Sequence, residues 1–121
     1  MEILASNTIL YCRDWKAMVT FYRELMGFQP TFTKDDWFME LRITEGCHMS
    51  IADEARCSIK ATYGQGITLS FRVANLTAVQ GRLAAQGARP TAITSHSWRA
   101  PYFYVHDPEG NRIELWNDKA E

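Results

Sequence analysis

The two halves of the chain repeat the same order of structural signals at a nearly constant offset, and this repeat constrains the fold more than any other feature. Two candidate helix N-caps, Asp14 and Asn75, lie 61 positions apart. The glycines that end the two predicted helices, Gly27 and Gly87, lie 60 positions apart, and a proline follows each of them at the same offset. A repeat of this length indicates two copies of one supersecondary unit, and a unit this small cannot bury its sheet face alone.

The local patterns in each half predict one strand, one helix and three further strands. In the first half, an apolar stripe at three- and four-residue steps begins after Asp14 and ends at Gly27, as in an amphipathic helix. The stripe consists of Trp15, Met18, Val19, Tyr22, Leu25 and Met26. The second half predicts a matching helix between Asn75 and Gly87.

A hairpin near the C-terminal end is the clearest local signal in the sequence. Two runs with alternating side chains, over 102–106 and 112–116, flank the turn residues 107–111. That turn has Asp in its first position, Pro in its second and Gly in its fourth, which favours a type I turn. Upstream of the hairpin, the sequence predicts a strand over 89–94 and a loop over 95–100.

These elements predict an α+β fold in a single domain that spans residues 1–121. The first module covers about 1–53 and the second about 66–118, with a polar connector between them. Two βαβββ modules would form a curved eight-stranded mixed sheet around a cleft, with both helices outside, because each sheet needs a partner to cover its open face.

Composition and charge exclude several classes of function. Hydrophobic residues make up 46% of the chain and charged residues 22%, which is typical of a globular protein and not of a disordered one. A net charge of −1 gives no electrostatic reason to expect nucleic acid or an anionic membrane as a partner. The sequence shows neither a membrane-spanning apolar run nor a signal peptide, so we expect a cytoplasmic protein.

The cysteines carry no recognisable chemistry. The chain contains three, Cys12, Cys47 and Cys57, and no two of them have CxxC spacing. An odd number at these distances predicts neither a disulfide framework nor a zinc site. We therefore expect unpaired thiols.

Strand alternation places a mixed set of polar and aromatic side chains on the predicted cleft. Aromatic walls with a few convergent polar groups suit a small planar or amphipathic ligand, and a guest cation could stack on the indoles while Glu114 supplies negative charge. In the alternative, these groups satisfy one another, for example Glu114 with Arg112 or Arg72. The candidate ligand-binding residues are Asn7, Ile9, Tyr11, His48, Ser50, Thr68, Ser70, Arg72, Arg112 and Trp116, with Trp98 and Tyr102 at the rim.

Four stretches of the sequence match a known pattern. They read YCRD at 11–14, FYRELMGF at 21–28, FRV at 71–73 and YVHDPEGNRIEL at 104–115. In residues, order and spacing they resemble the vicinal-oxygen-chelate superfamily, which contains glyoxalase I, extradiol dioxygenases and bleomycin-resistance proteins. The resemblance covers nearly the whole chain. These motifs are typical of the superfamily but do not indicate any single activity within it. The resemblance also implies a homodimer.

The resemblance also implies where a divalent metal would bind. In metal-dependent members the ligands come from the first and last strand of each half, and these positions fall on Asn7, Ser50, Thr68 and Glu114. Only Glu114 is a usual ligand, and neutral amide and hydroxyl oxygens compensate poorly for the dehydration of a divalent ion. We therefore favour a protein without a metal or other cofactor. If a divalent metal is bound, His48, which shares a predicted face with Ser50, is the second candidate ligand.

Three functions remain open from the sequence. The favoured hypothesis is a metal-free protein that sequesters an aromatic or amphipathic small molecule, similar to the drug-resistance members. The alternative is a metal-dependent lyase, isomerase or dioxygenase in which Glu114 is the catalytic residue. The third is a dimeric interaction module whose cleft is vestigial. The sequence does not decide whether the protein is an enzyme, and the favoured hypothesis is that it is not one.

Overall fold

The computed structural model describes residues 1–118, so the last three residues of the predicted domain lie outside the described part. The chain divides into two compact units, Met1–Tyr63 and Gly64–Glu121. The first unit contains β1 (Ser6–Cys12), α1 (Trp15–Thr20), a π-helical turn (Phe21–Leu25), β2 (Gln29–Lys34), β3 (Phe38–Thr44), β4 (Cys47–Asp53) and a short 3₁₀ turn (Glu54–Arg56). The second unit contains β5 (Thr68–Arg72), α2 (Leu76–Ala85), β6 (Thr94–His96), β7 (Arg99–His106) and β8 (Arg112–Trp116).

Each unit forms one four-stranded mixed sheet, and the two sheets share the same topology. The strand order is β1-β4-β3-β2 in the first unit and β5-β8-β7-β6 in the second. In each sheet the first and last strands of the unit pair in parallel, and the remaining neighbours pair antiparallel. The prediction of an α+β fold built from two βαβββ modules is therefore confirmed, and the eight strands form two four-stranded sheets instead of the predicted single eight-stranded one. Within the described residues, no helix has the length and apolar character needed to cross a membrane.

The first helix begins where the sequence predicts but changes its form halfway. Asp14 caps it, since the Asp14 carboxylate accepts a hydrogen bond of 3.1 Å from the backbone N–H of Ala17. After Thr20 the helix widens into the π-helical turn, in which the N–H of Met26 bonds to the carbonyl of Phe21 at 3.0 Å. Phe21 and its neighbour Tyr22 are both buried within this turn. The predicted regular helix is thus interrupted where two adjacent aromatic side chains are buried.

The second helix lacks the predicted cap. Asn75 has a φ of 55°, in the left-handed region, and its side chain makes no capping hydrogen bond. Asparagine tolerates this conformation better than most residues, so Asn75 turns the chain into the helix instead of capping it. The helix then buries Leu76 and Leu83, and Gly87 ends the segment with a φ of 85°.

The strand predicted over 89–94 is wrong. Arg89 has a positive φ of 54° and the next residue is a proline without an N–H, so β6 begins only at Thr94. The predicted loop over 95–100 is correspondingly shorter, because His96 pairs with Arg99 across a two-residue turn. Arg99 is therefore the first residue of β7 and not part of a loop.

The predicted C-terminal hairpin is confirmed, and its turn is held by a buried carboxylate. The N–H of Gly110 bonds to the carbonyl of Asp107 at 3.1 Å, which closes the turn. Asp107 is only 5% exposed. Its carboxylate accepts bonds from the backbone N–H groups of Glu109 and Asn111, at 2.9 and 3.0 Å, and from the Asn111 amide at 2.7 Å. This turn fixes the register of β7 and β8.

The two faces of each sheet differ in polarity. In the second sheet, the buried face carries Phe103, Val105, Ile113 and Leu115. In the first sheet, it carries Leu10, Cys12, Met39, Leu41, Met49 and Ile51. Because strand side chains alternate, the polar candidate residues lie on the opposite face of each sheet.

Candidate functional site

The polar face of the second sheet gathers most of the candidate residues. Along β5 and β8, Ser70 lies opposite Glu114, and Tyr104 of β7 flanks Glu114 on the other side. Arg99 reaches the same face from the start of β7, where it contacts Glu114. We call this surface the Glu114 face. Its members on β5, β7 and β8 are Thr68, Ser70, Arg72, Arg99, Tyr102, Tyr104, His106, Arg112, Glu114 and Trp116.

Glu114 is held by two partners at the centre of this face. Its Oε2 atom forms an ion pair of 2.7 Å with Nη2 of Arg99, and its Oε1 atom accepts a hydrogen bond of 2.8 Å from the Ser70 hydroxyl. The side chains of Arg99 and Glu114 are 27% and 15% exposed. Both carboxylate oxygens are thus engaged in a partly buried, charge-assisted network. The alternative in which these groups satisfy one another gave Arg112 and Arg72 as examples of a partner, whereas the ion-pair partner in the structure is Arg99.

This network keeps the Glu114 carboxylate ionised. Burial by itself would raise the pKa of Glu114, but the hydrogen bonds from Arg99 and Ser70, with the charges of Arg99 and Arg112, lower it below its ordinary value. The hydrogen bond to Glu114 raises the pKa of Arg99, against the opposing effect of burial. A carboxylate with a lowered pKa exchanges protons poorly near neutral pH, so its environment does not favour a general acid or base.

The arginines of the Glu114 face lie over its aromatic rings. The guanidinium carbon of Arg99 is 3.7 Å from the ring centroid of Tyr102, and that of Arg112 is 5.1 Å from Tyr104. Arg72 lies 5.7 Å from Trp116 in the same way. Because these rings already face cations of the protein, a guest cation would be repelled, and the arrangement argues against the hypothesis of a stacked cationic ligand.

An exposed aromatic pair stands at the tip of the β6–β7 hairpin. The ring of His96 stacks on Trp98 with 5.0 Å between centroids and an interplanar angle of 10°. The Tyr102 hydroxyl lies 3.4 Å from Nε2 of His96, which joins this pair to the Glu114 face. Trp98 is 74% exposed. The tip therefore offers a flat aromatic surface to solvent beside Arg99, whose guanidinium carbon is 5.8 Å from the Trp98 ring.

The other candidate residues lie together on the polar face of the first sheet. The Ser50 hydroxyl donates a hydrogen bond of 3.0 Å to the side-chain oxygen of Asn7, and Ser50 is fully buried. His48 lies opposite Asn7, and two residues further along β1, Ile9 lies opposite Ser50. Tyr11 follows on the same face of β1. On β3 the same face carries Glu40 opposite Ser50 and Arg42 opposite His48, so one negative and one positive side chain flank these residues.

The donor groups do not fit the metal site that the resemblance implies. In the first unit, the two implied ligands Asn7 and Ser50 bond to each other. In the second unit, Thr68 accepts a hydrogen bond of 2.8 Å from Nε of Arg112, and the Glu114 carboxylate is neutralised by a guanidinium 2.7 Å away. Within residues 1–118, no three His, Cys, Asp or Glu side chains are grouped so that they could hold a metal ion. To bind Glu114, a divalent ion would have to displace the Arg99 guanidinium from the carboxylate. The positive charge of Arg99 would then repel the ion.

Several residues of these faces are not among the candidates from the sequence. Tyr104 lies two residues from Tyr102 on one strand, so strand alternation alone was a sufficient signal for it. Arg99 falls in the loop predicted over 95–100, and no local pattern indicates its pairing with Glu114. In the first unit, Glu40 lies opposite Ser50 and accepts a hydrogen bond of 2.9 Å from the Thr31 hydroxyl, which only the strand register reveals.

Solved structures with a similar fold cover almost the whole chain. A lactoylglutathione lyase from Agrobacterium tumefaciens is 19% identical, with 92% of this chain and 90% of that chain covered at a TM-score of 0.75. TnmS3, an antibiotic binding protein from Streptomyces sp. CB03234, is 18% identical, with 95% of both chains covered at a TM-score of 0.78. A glyoxalase/bleomycin resistance protein/dioxygenase from Nocardioides is 17% identical, with 97% of this chain and 83% of that chain covered at a TM-score of 0.78. At this identity the likeness concerns the fold alone.

The sequence itself identifies the family. A search of curated proteins found no match. A family model described as Glyoxalase/Bleomycin resistance protein/Dioxygenase superfamily matches residues 5–115, which is nearly the whole chain. The chain therefore belongs to the Glyoxalase/Bleomycin resistance protein/Dioxygenase superfamily.

Proposed function

We propose that the protein binds a small aromatic or amphipathic molecule on the Glu114 face, without a metal ion and without chemical conversion. The observation that carries this proposal is the Arg99–Glu114 ion pair of 2.7 Å. Glu114 is the only implied metal position with an ionisable donor, and a guanidinium already neutralises it. A carboxylate kept charged in this way serves better as a fixed structural anchor than as a metal ligand or proton carrier.

The surroundings of this ion pair suit a flat ligand. Tyr102, Tyr104 and Trp116 are only partly exposed, so they present rings beside the hydroxyls and guanidinium groups of the same face. Aromatic surface with a few oriented polar groups is the usual composition of a small-molecule site. The structural similarity to an antibiotic binding protein supports the proposal.

Three further features remain proposals. The resemblance to the superfamily implies a homodimer, and we expect the protein in the cytoplasm. Strand alternation makes Asn7, Ile9, Tyr11, His48 and Ser50 candidate ligand-binding residues on the polar face of the first sheet. Light scattering across a range of protein concentrations tests the dimer. A mass that remains that of one chain at the highest concentration would contradict it.

Elemental analysis tests the absence of a metal. The protein is produced in medium supplemented with Ni, Mn, Zn or Fe and purified without chelator. We expect less than about a tenth of an ion per chain, because Glu114 is the only usual ligand among the implied positions and it is paired with Arg99. One ion per chain that is lost in the variant Glu114→Gln would favour the metal-dependent enzyme instead.

Calorimetric titration tests binding itself. The probes are 2-naphthoate, 2-naphthamide and 2-naphthylmethylammonium, which share one ring system and differ in charge. At least one of them should bind, and binding should weaken in Trp98→Ala but not in the control Phe32→Ala, an exposed aromatic residue of the first unit. If none of the three binds at millimolar concentration, the proposed function is wrong.

A further inference from the structure

We infer that the ligand of the Glu114 face is an aromatic acid and that Arg112 binds its anionic group. This inference rests on the proposed function, and it adds the chemical class of the ligand. It starts from the distribution of charge, since three arginines and one glutamate lie on this face.

Two of the three arginines are neutralised within the second unit. Arg99 pairs with Glu114 at 2.7 Å. Arg72 pairs with Asp118 at 2.6 Å and also donates to the Asn117 side chain at 3.3 Å. Among the residues that the structure describes, Arg112 forms no such ion pair, so the face carries one uncompensated positive charge.

Arg112 is exposed, and two contacts orient its side chain. Its Nε donates a hydrogen bond of 2.8 Å to the Thr68 hydroxyl, and its guanidinium carbon lies 5.1 Å from the centroid of the Tyr104 ring. Within residues 1–118, no acceptor bonds to its two terminal nitrogens. A guanidinium fixed at Nε, with both terminal nitrogens free, is suited to bind a carboxylate through two parallel hydrogen bonds.

The aromatic side chains lie within reach of the same group. Tyr104 is adjacent to Arg112, and Tyr102 follows two residues away on the same strand, with 5.2 Å between the two ring centroids. Because these two rings are inclined at 60° to each other, a planar molecule would contact mainly the Tyr104 ring, and an acidic substituent on it would then lie at the Arg112 guanidinium. A cationic ligand would instead be repelled by the charge of Arg112, and a neutral ligand would leave that charge without a partner from the ligand.

The three naphthalene probes test this inference by calorimetry at neutral pH. We expect 2-naphthoate to bind about ten times more tightly than 2-naphthamide, which corresponds to one charge-assisted hydrogen-bonded contact. The variant Arg112→Gln should abolish this preference, so that 2-naphthoate and 2-naphthamide bind it with the same affinity. The variant Thr68→Val, which removes the acceptor for Nε, should reduce the preference only in part.

The variant Arg82→Gln is the matched control. Arg82 is an exposed arginine on α2, and its side chain bonds to Gln86 at 2.9 Å, so its replacement lowers the net charge by the same amount away from the Glu114 face. It should keep the full preference for 2-naphthoate. Higher ionic strength should weaken the binding of 2-naphthoate and not that of 2-naphthamide, which tests the charge in the unmodified protein.

The outcomes separate the two proposals. If the unmodified protein binds acid and amide equally, or prefers the ammonium probe, the inference about the acid is wrong and the proposed binding function stands. If Arg112→Gln weakens both probes equally, Arg112 shapes the surface without recognising charge, which also overturns the inference. If no probe binds, the binding function itself is wrong.

Discussion

Ser50 and Glu114 occupy matching positions in the two sheets, on the central strands β4 and β8. Ser50 is fully buried and bonds to the neutral side chain of Asn7. Glu114 is partly exposed and forms an ion pair with Arg99. The same scaffold thus supports a neutral, closed contact in one unit and a charged, partly open one in the other. Strand topology alone therefore does not assign a function to either sheet.

At a second pair of matching positions, each sheet has one arginine opposite one histidine, but the strands that carry them are exchanged. In the first sheet, Arg42 of β3 lies opposite His48 of β4. In the second sheet, His106 of β7 lies opposite Arg112 of β8. The exchange moves the arginine onto the strand that pairs with β5, where a threonine orients it. Arg112 is therefore a candidate anion site, whereas no role is proposed for Arg42, although the two arginines differ only in which strand of the pair carries them.

Among the substitutions that compare the two units, the largest loss in free energy of unfolding should come from the turn between β7 and β8. Replacing Asp107 by Ala removes the acceptor of three hydrogen bonds in a buried turn. We expect the free energy of unfolding to fall by about 3 kcal/mol, measured by urea denaturation. In the matching turn of the first sheet, Glu45→Ala should change it by less than about 0.5 kcal/mol.

A conservative variant controls for this effect. Asp107→Asn keeps one side-chain oxygen as an acceptor, so it should recover most of the lost free energy of unfolding. If Asp107→Ala were no more destabilising than Glu45→Ala, the buried carboxylate would not be what holds the hairpin.

The second-largest loss in free energy of unfolding should come from Glu114, and it should depend on pH, unlike the matching loss in the first sheet. Glu114→Gln should lower the free energy of unfolding by about 2 kcal/mol at neutral pH, because it removes the charge that pairs with Arg99. Since the folded-state pKa of Glu114 is lowered from 4.5, its stabilisation is present above pH 4.5 and is lost as the pH falls through the folded-state value. The difference between wild type and variant should therefore shrink on acidification.

Ser50→Ala provides the comparison in the first sheet. It removes a neutral hydrogen bond, so its cost of about 1 kcal/mol should be the same at neutral and acidic pH. Urea denaturation of all three proteins at several pH values measures both effects. A cost of Glu114→Gln that is independent of pH would show that the ion pair contributes nothing through its charge.

A smaller effect concerns ligand binding at the exposed aromatic residues. Trp98→Ala should weaken binding of 2-naphthoate about tenfold, because it removes a stacking surface beside the Glu114 face. Phe32→Ala removes an aromatic side chain that is also exposed, on β2 of the first sheet, and should leave the affinity unchanged. Calorimetry measures the affinity of both variants. An equal loss of affinity in both would contradict the proposal that the ligand binds to the second sheet.

The smallest effect on the free energy of unfolding should come from the residues at the N-terminal ends of α1 and α2. Asp14→Ala removes a capping hydrogen bond of 3.1 Å and should lower the free energy of unfolding by about 1 kcal/mol. Asn75 makes no capping bond and has a positive φ, so Asn75→Gly should change it by less than about 0.5 kcal/mol. Thermal or urea denaturation measures both. A substantial loss in Asn75→Gly would mean that its side chain stabilises the start of α2 after all.

Local signals account for what was predicted correctly. The Asp14 cap, the Asp107 turn and the alternation of β8 each depend on residues a few positions apart, whose conformational preferences are visible in the sequence. The errors also have local causes. The positive φ of Arg89 shortens the strand predicted over 89–94, and the burial of adjacent aromatic side chains accompanies the change of α1 into a π-helical turn.

The amino-acid sequence by itself determined the duplicated βαβββ architecture, the hairpin and the presence of Glu114 on a polar sheet face. Only the tertiary structure decided what Glu114 does there. Its partners Ser70 and Arg99 are separated from it by 44 and 15 positions, and they meet it through strand register and a two-residue turn. Side-chain periodicity specifies which face a residue occupies, whereas the geometry between strands specifies which charges touch, and that geometry determines whether a carboxylate is available to a metal or is bound by an arginine.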